Sequence, residues 1–201
     1  MNFFLIKSLY FLGTIVKFEN KQNIPEGIPL IIVANHQGLI DIPPIVWYLR
    51  KYHPKFISKK ELGKGIPSVS FNLRHGGSVL IDRKDSRQSL SAIRDFAKKI
   101  HEKKWSAVIF PEGTRGKKGK PKEFQVSGLK ILFKNIPDGL VIPITINNSW
   151  KVQRYGKFPY GIFNTITFKV QEPMKVSDYN PEELIDKTEL AVKKDIVVEN
   201  G

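Results

Sequence analysis

Residues 29–41 read Pro29-Leu30-Ile31-Ile32-Val33-Ala34-Asn35-His36-Gln37-Gly38-Leu39-Ile40-Asp41. The first six make a short, continuous, β-branched run, the pattern of a strand buried on both faces. It stops at Asn35 and His36. Asp41 then precedes Pro43 and Pro44, and Ile45, Val46 and Leu49 follow. An aspartate at the cap with prolines in the first turn, where a missing amide hydrogen costs least, predicts a helix start. A buried strand therefore leads into a helix through a turn that carries a histidine and an aspartate.

The same alternation continues outward. Lys55-Phe56-Ile57 and Ser78-Val79-Leu80-Ile81 read as strands. Asp85 or Ser86 can cap a helix in which Leu90, Ile93, Ala97 and Ile100 recur at helical spacing, and its basic end, Lys98 to Lys104, suits a helix C-terminus. Ala107–Phe110 is a further strand, Val126–Phe133 a helix and Leu140–Ile146 a strand. Asn180-Pro181-Glu182-Glu183 opens a last helix by cap and proline. No motif follows Trp150. Strands interleaved with helices predict a single α/β domain with a central, mostly parallel sheet flanked by helices. A chain of 201 residues with 41% hydrophobic content supports one buried core and is too short for two ordinary domains.

Residues 1–18 are dense in large apolar side chains, among them Phe3, Phe4, Leu5, Ile6, Leu9, Phe11 and Phe18, interrupted by Lys7 and closed by Lys17. A bilayer core needs about 20 predominantly apolar residues, so this stretch is short for a span. It also lacks the small-residue cleavage site of a secretory signal. The preferred reading is a membrane-associating helix over 1–19 that lies in the head-group layer, followed by the main domain over 20–201. A core helix of the globular domain is the competing reading.

The net charge of +14 and pI near 9.8 imply attraction to something acidic. Nucleic acid, an anionic membrane, an acidic carrier protein and a phosphorylated substrate all qualify. The absence of cysteine excludes disulfides, thiolate metal sites and a cysteine nucleophile, and it fits a reducing compartment. There is no zinc-finger spacing, aromatic RNA-binding strand or basic heptad helix, so no nucleic-acid partner is expected. A phosphate-binding Gly-x-x-x-x-Gly-Lys-Ser/Thr loop is lacking, and His36, His53, His75 and His101 show no metal-ligand spacing.

In open α/β sheets the chemistry lies outside the carboxyl ends of the strands. Three segments qualify. In the first, Gly38 could turn the chain so that Asp41 accepts a hydrogen from one ring nitrogen of His36, leaving the other as a general base toward a hydroxyl. Equally, Asp41 could be only a cap and His36 a turn residue. In the second, Phe110-Pro111-Glu112-Gly113-Thr114-Arg115-Gly116, the arginine offers a fork of donors suited to phosphate, and Glu112 could orient it or pair with it at the surface. The neighbouring lysines, Lys117 to Lys122, read as a solvated loop. The third is Ile81-Asp82-Arg83, for which a surface ion pair is the competing account.

Together these segments resemble the glycerolipid acyltransferase family: NHxxxxD, a strand ending Ile-Asp-Arg, then FPEGTR, then Val141-Ile142-Pro143-Ile144. The resemblance spans residues 30 to about 146, and the pairing of the two main blocks is more specific than either alone. It implies His36 as general base, Asp41 as its orienter, and Arg83, Glu112, Gly113, Thr114 and Arg115 as the site for the acceptor phosphate. Gly38 and Gly116 stand where serine is frequent in the family. The implied reaction moves a fatty acyl group from acyl-CoA or acyl carrier protein to the free hydroxyl of a lysophospholipid, above all 1-acyl-glycerol-3-phosphate, giving phosphatidic acid. It needs no cofactor, since the thioester is a co-substrate. It also needs no acyl-enzyme, in keeping with the lack of cysteine and of a Gly-x-Ser-x-Gly nucleophile turn. The implied place is the cytoplasmic face of an anionic membrane. Another lysolipid acceptor, or a noncatalytic basic lipid-binding protein, is the alternative.

Overall fold

The run Leu30–Ala34 is buried along its whole length, as strand β2. Its side chains alternate between two cores. Ile31 and Val33 pack with Ile93, Phe96, Ala97 and Ile100 on one face, whereas Leu30, Ile32 and Ala34 pack with Ile45 and Leu49 on the other. This two-sided burial explains why the strand reads as continuously apolar. The computed structural model describes residues 2–64, 71, 73, 75–156 and 158–199.

The strands are β1 (Ile15–Glu19), β2 (Leu30–Ala34), β3 (Pro54–Lys59), β4 (Val79–Ile81), β5 (Ser106–Ile109), β6 (Leu140–Asn147), β7 (Thr165–Val170) and β8 (Met174–Lys175). They form one sheet in the order β1-β7-β6-β2-β5-β3-β4, with β8 also on β6. Strands β6, β2, β5, β3 and β4 run parallel. Strand β7 is antiparallel to β6 and parallel to β1, and β8 is antiparallel to β6. The helices with fully described bounds are α1 (Asn2–Ser8), α2 (Ile42–Tyr48), α3 (Ser86–Lys103), α4 (Val126–Asn135) and α5 (Pro181–Lys193). Helices α3, α4 and α5 cover one face, and α1 and α2 cover the other. The single α/β domain with a mostly parallel sheet flanked by helices is as expected. Two caps are too: Asp85 accepts from the amide of Gln88, and Asn180 from that of Glu183.

The N-terminal stretch corrects one expectation. The helix expected over 1–19 ends early: α1 stops at Ser8, a 3-10 turn covers Leu9–Leu12, and Gly13 closes it with φ 64°. A left-handed residue of this kind ends a helix, and glycine adopts it without penalty. Residues 15–19 are then an edge strand in which Ile15, Lys17 and Glu19 are exposed while Val16 is buried and Phe18 half-buried. The apolar run was uniform in composition but changed period at Gly13, and Ile15-Val16 are β-branched. Ile6 and Leu9 are buried against the α2 side, while Phe4 and Phe11 are 73% and 92% exposed. Among the described residues no helix is long and apolar enough to cross a membrane.

Candidate active site

Strand β2 delivers the site. Beyond Ala34, Asn35 is buried and both its side-chain polar atoms bond the backbone of Ile146, donating at 2.8 Å and accepting at 2.7 Å. That pair extends the β2–β6 ladder by one residue and fixes where the next residue, His36, emerges.

Asp41 is wholly buried and does not cap α2. Its carboxylate turns back into the turn instead. Oδ2 accepts from the amides of Gln37 at 2.7 Å and Gly38 at 2.9 Å, and lies 2.7 Å from Nδ1 of His36. Oδ1 accepts from the hydroxyl of Ser149. With every neighbour of the carboxylate a donor, the proton of His36 sits on Nδ1, so Nε2 is the nitrogen with a lone pair to offer. The His36 side chain is 17% exposed and its ring stacks on Phe110, with centroids 4.4 Å apart.

The loop after β5 grips the histidine from behind. Glu112 is 3% exposed; one of its carboxylate oxygens accepts from the amide of His36 at 3.0 Å and the other from the amide of Lys122 at 3.1 Å. The amide of Gly116 donates to the His36 carbonyl at 2.9 Å. Burial raises the Glu112 carboxyl above its ordinary value, opposed by those two amide bonds. The expected partnership of Glu112 with Arg115 is therefore replaced by one with the backbone of His36: a glutamate this deep finds its donors on the main chain. Gly113 has φ 71°, which suits a residue without a Cβ. At Gly116 an added Cβ would stand 2.1 Å from the carbonyl oxygen of Lys120, so the loop closes on a hydrogen atom there.

In front of His36 lies a cavity of about 300 Å³ at the carboxyl ends of β2, β3 and β5. Its walls include Phe56 and Phe110, and its rim brings Arg83, Thr114 and Arg115 to the histidine. Thr114 and Arg115 are exposed, and the Lys122 ammonium donates to the Thr114 hydroxyl at 2.6 Å. Of the residues singled out in the sequence, His36, Arg83, Gly113, Thr114 and Arg115 thus line one cavity, while Asp41 and Glu112 support it from within. A larger cavity, about 390 Å³ near Lys130, Phe133 and Tyr179, presents neither histidine nor arginine. Among the described residues no group of three or more histidine and acidic side chains could hold a metal ion. Ser149 escaped the sequence reading, because its bond to Asp41 joins residues 108 positions apart and a lone serine after a strand carries no signal.

A buried aspartate holding a histidine at the mouth of a partly apolar, cation-rimmed cavity, at the carboxyl ends of parallel strands, is an arrangement chemically suited to proton transfer on a doubly covered α/β sheet. The profile of the Acyltransferase family matches residues 15–147, and the chain belongs to that family. It is 36% identical over 156 residues to a 1-acyl-sn-glycerol-3-phosphate acyltransferase of Helicobacter pylori, an alignment that takes in 74% of this chain and 63% of that one. A chloroplastic enzyme of the same name from Arabidopsis thaliana is 29% identical over 150 residues, covering 74% of this chain and 40% of that one. The chain thus spans less than two thirds of the length of these relatives. The crystal structure of the 1-acyl-sn-glycerophosphate acyltransferase of Thermotoga maritima superposes with a TM-score of 0.75 at 28% identity, covering 96% of this chain and 78% of that one.

Proposed function

We propose that the protein transfers a fatty acyl group from a thioester to the free hydroxyl of a lysophospholipid, with 1-acyl-glycerol-3-phosphate as acceptor and phosphatidic acid as product. The observation that carries this reading is the His36–Asp41 pair, whose carboxylate is wholly buried among donors. The relatives are named for the same reaction, which supports the choice of acceptor.

His36 Nε2 takes the proton of the acceptor hydroxyl as that oxygen attacks the thioester carbonyl. The tetrahedral intermediate collapses, the carbon–sulfur bond breaks, and the leaving thiolate takes up the proton held on His36 Nε2, which returns the imidazole to its neutral form. Asp41 keeps the proton on Nδ1 throughout and stabilises the imidazolium formed at the first step. Arg83, Arg115 and Thr114 line the rim, where the two guanidinium groups suit an acceptor phosphate. Glu112 and Gly113 contribute through the backbone of the loop, Glu112 by fixing His36 rather than by touching phosphate. The apolar walls at Phe56 and Phe110 suit an acyl chain. No cofactor or metal enters the reaction; acyl-CoA or acyl carrier protein is consumed as co-substrate. The exposed aromatics of α1 and the 3-10 turn after it, together with the net charge of +14, favour an enzyme held at the cytoplasmic face of an anionic membrane.

The test is thiol release from palmitoyl-CoA by purified protein, with and without lysophosphatidic acid, beside His36→Ala. Acceptor-dependent release lost in the variant supports the reading. If the wild type releases thiol neither with this pair nor with carrier-protein donors or other lysolipids, a noncatalytic lipid-binding role takes its place.

A further inference from the structure

Two segments distant in sequence expose large apolar side chains and meet at Leu12, Gly13 and Phe163. One is the N-terminal segment, with Phe4 and Phe11. The other is the strap 155–163 between the turn that follows β6 and strand β7, with Phe158 82% and Phe163 81% exposed. The amide of Phe163 donates to the carbonyl of Leu12 at 2.9 Å, and the amide of Ile15 to that of Asn164 at 2.8 Å. The Phe163 ring lies over Gly13, where an added Cβ would stand 2.4 Å from it. Soluble surfaces seldom hold aromatics this exposed in one place without a binding role.

The two segments themselves carry charge of one sign. No aspartate or glutamate occurs from Met1 to Phe18, nor from Gly139 to Gln171. Lys7 sits over the rings of Phe3 and Tyr10, and Arg154 over that of Tyr155. Aromatics edged by cations match the boundary between acyl chains and anionic head groups.

We propose that the strap, through its described residues 155–156 and 158–163, is a second membrane-docking element, which with the N-terminal segment forms one surface for an anionic lipid bilayer. The strap is also tied to the histidine site. The amide of Gly161 donates to the carbonyl of Val152 at 2.9 Å, and the Gln153 side chain accepts from the amide of Leu39 at 3.3 Å. A few residues earlier, Ser149 holds Asp41. Docking through the strap therefore seats the turn that carries His36 next to the surface in which a lysophospholipid resides. The choice of lipid as occupant rests on the acceptor proposed above; the surface itself does not.

The experiment uses the whole chain. Sedimentation with phosphatidylcholine vesicles, with and without phosphatidylglycerol, is compared for wild type and Phe158→Ser/Phe163→Ser, after thermal unfolding has checked the fold of the variant. Losing two aromatic anchors should lower affinity for the anionic vesicles about tenfold or more. Transfer to a short-chain acceptor dissolved without vesicles should be the same for both proteins. In parallel, Phe158→Trp should be quenched by vesicles of brominated lipid beyond the wild-type background, a readout that stands even if the double variant misfolds. Wild-type vesicle affinity in the double variant, or no added quenching at Trp-substituted 158, overturns the proposal. Absence of transfer by the wild type to every donor and lysolipid acceptor named above overturns the enzymatic reading and leaves the vesicle and quenching results to decide the docking proposal by themselves.

Discussion

Two connections leave neighbouring parallel strands at the same end of the sheet, and they are built in opposite ways. The turn after β2 is closed on itself: Asp41 is wholly buried, and both its oxygens are occupied by donors from Gln37, Gly38, His36 and Ser149. The loop after β5 is tied down on either side, by Glu112 at its base and by the Gly116 amide on the His36 carbonyl, and between these points carries Thr114 and Arg115 out into solvent. A proton-transferring group gains from being held in one tautomer and one orientation before substrate arrives, because no reorganisation is left for the transition state. Groups that meet a flexible phosphorylated lipid gain from reach. The difference predicts that damage to the turn appears in kcat, and damage to the loop in KM.

The strongest attack on that division is His36→Ala. A general base contributes about 10²- to 10⁴-fold, so kcat should fall by that order while the KM for acceptor changes little. Steady-state thiol release over a range of acceptor concentrations checks it. A variant that lost saturation and kept kcat would place His36 among the binding groups and dissolve the contrast between turn and loop.

Glu112→Ala tests the joint between the two connections. It leaves the amides of His36 and Lys122 without their acceptor, at a cost of roughly 1–3 kcal/mol for each buried group. The dependence on pH has a definite sign. Burial raises the Glu112 carboxyl, so the folded state holds this proton more tightly than the unfolded state does. Its ionisation then opposes folding: the group contributes most below the ordinary value of 4.5, and that contribution declines as pH rises through the raised value. Denaturation of wild type and variant across this window should show the stability gap narrowing with rising pH. A gap that widened would mean that Glu112 is stabilised as the anion.

Arg115→Ala acts on the exposed end of the loop. Loss of a charged donor to phosphate should raise KM for lysophosphatidic acid about ten- to a hundredfold with kcat nearly unchanged. An acceptor lacking the phosphate should show no such change. Equal effects on both acceptors would remove Arg115 from phosphate binding.

The same contrast explains what could be read from the sequence. The central parallel strands were legible because burial on two faces leaves a continuous apolar run, as in Leu30–Ala34. The histidine and both arginines were legible because polar, chemically able residues stood directly after such runs. Strand β1 was hidden inside an apolar stretch that looked like one helix, since composition masks the change of period at Gly13. Strand β7 lay in a region without motifs, and its place depends on antiparallel pairing with β6, which no local pattern encodes. Glu112 was recognised as important but given the wrong partner: a carboxylate beside an arginine in sequence suggests an ion pair, while burial directs it to main-chain amides.

Ser149→Ala should have the smallest effect and is the sharpest test of how closed the turn is. Ser149 reaches Asp41 from the neighbouring strand, at the start of the turn after β6, and is itself wholly buried. Removing its hydroxyl leaves Oδ2 with its three donors but strips Oδ1 of the one described for it, so the carboxylate can rock about the Oδ2 cluster. One hydrogen bond is worth about 1 kcal/mol net, which corresponds to roughly fivefold in rate if all of it reaches the transition state. A purely structural bond would lower the unfolding midpoint and leave the pH–rate profile in place. A bond that positions Asp41 should also move the acidic limb of that profile, because it alters how well the carboxylate supports the protonated imidazole. Threonine at 149, which retains the hydroxyl, should restore the limb even where its extra methyl lowers stability. If serine, threonine and alanine at 149 give one pH profile, the turn after β2 is rigid without help from β6, and Asp41 owes its position to the amides of Gln37 and Gly38 alone.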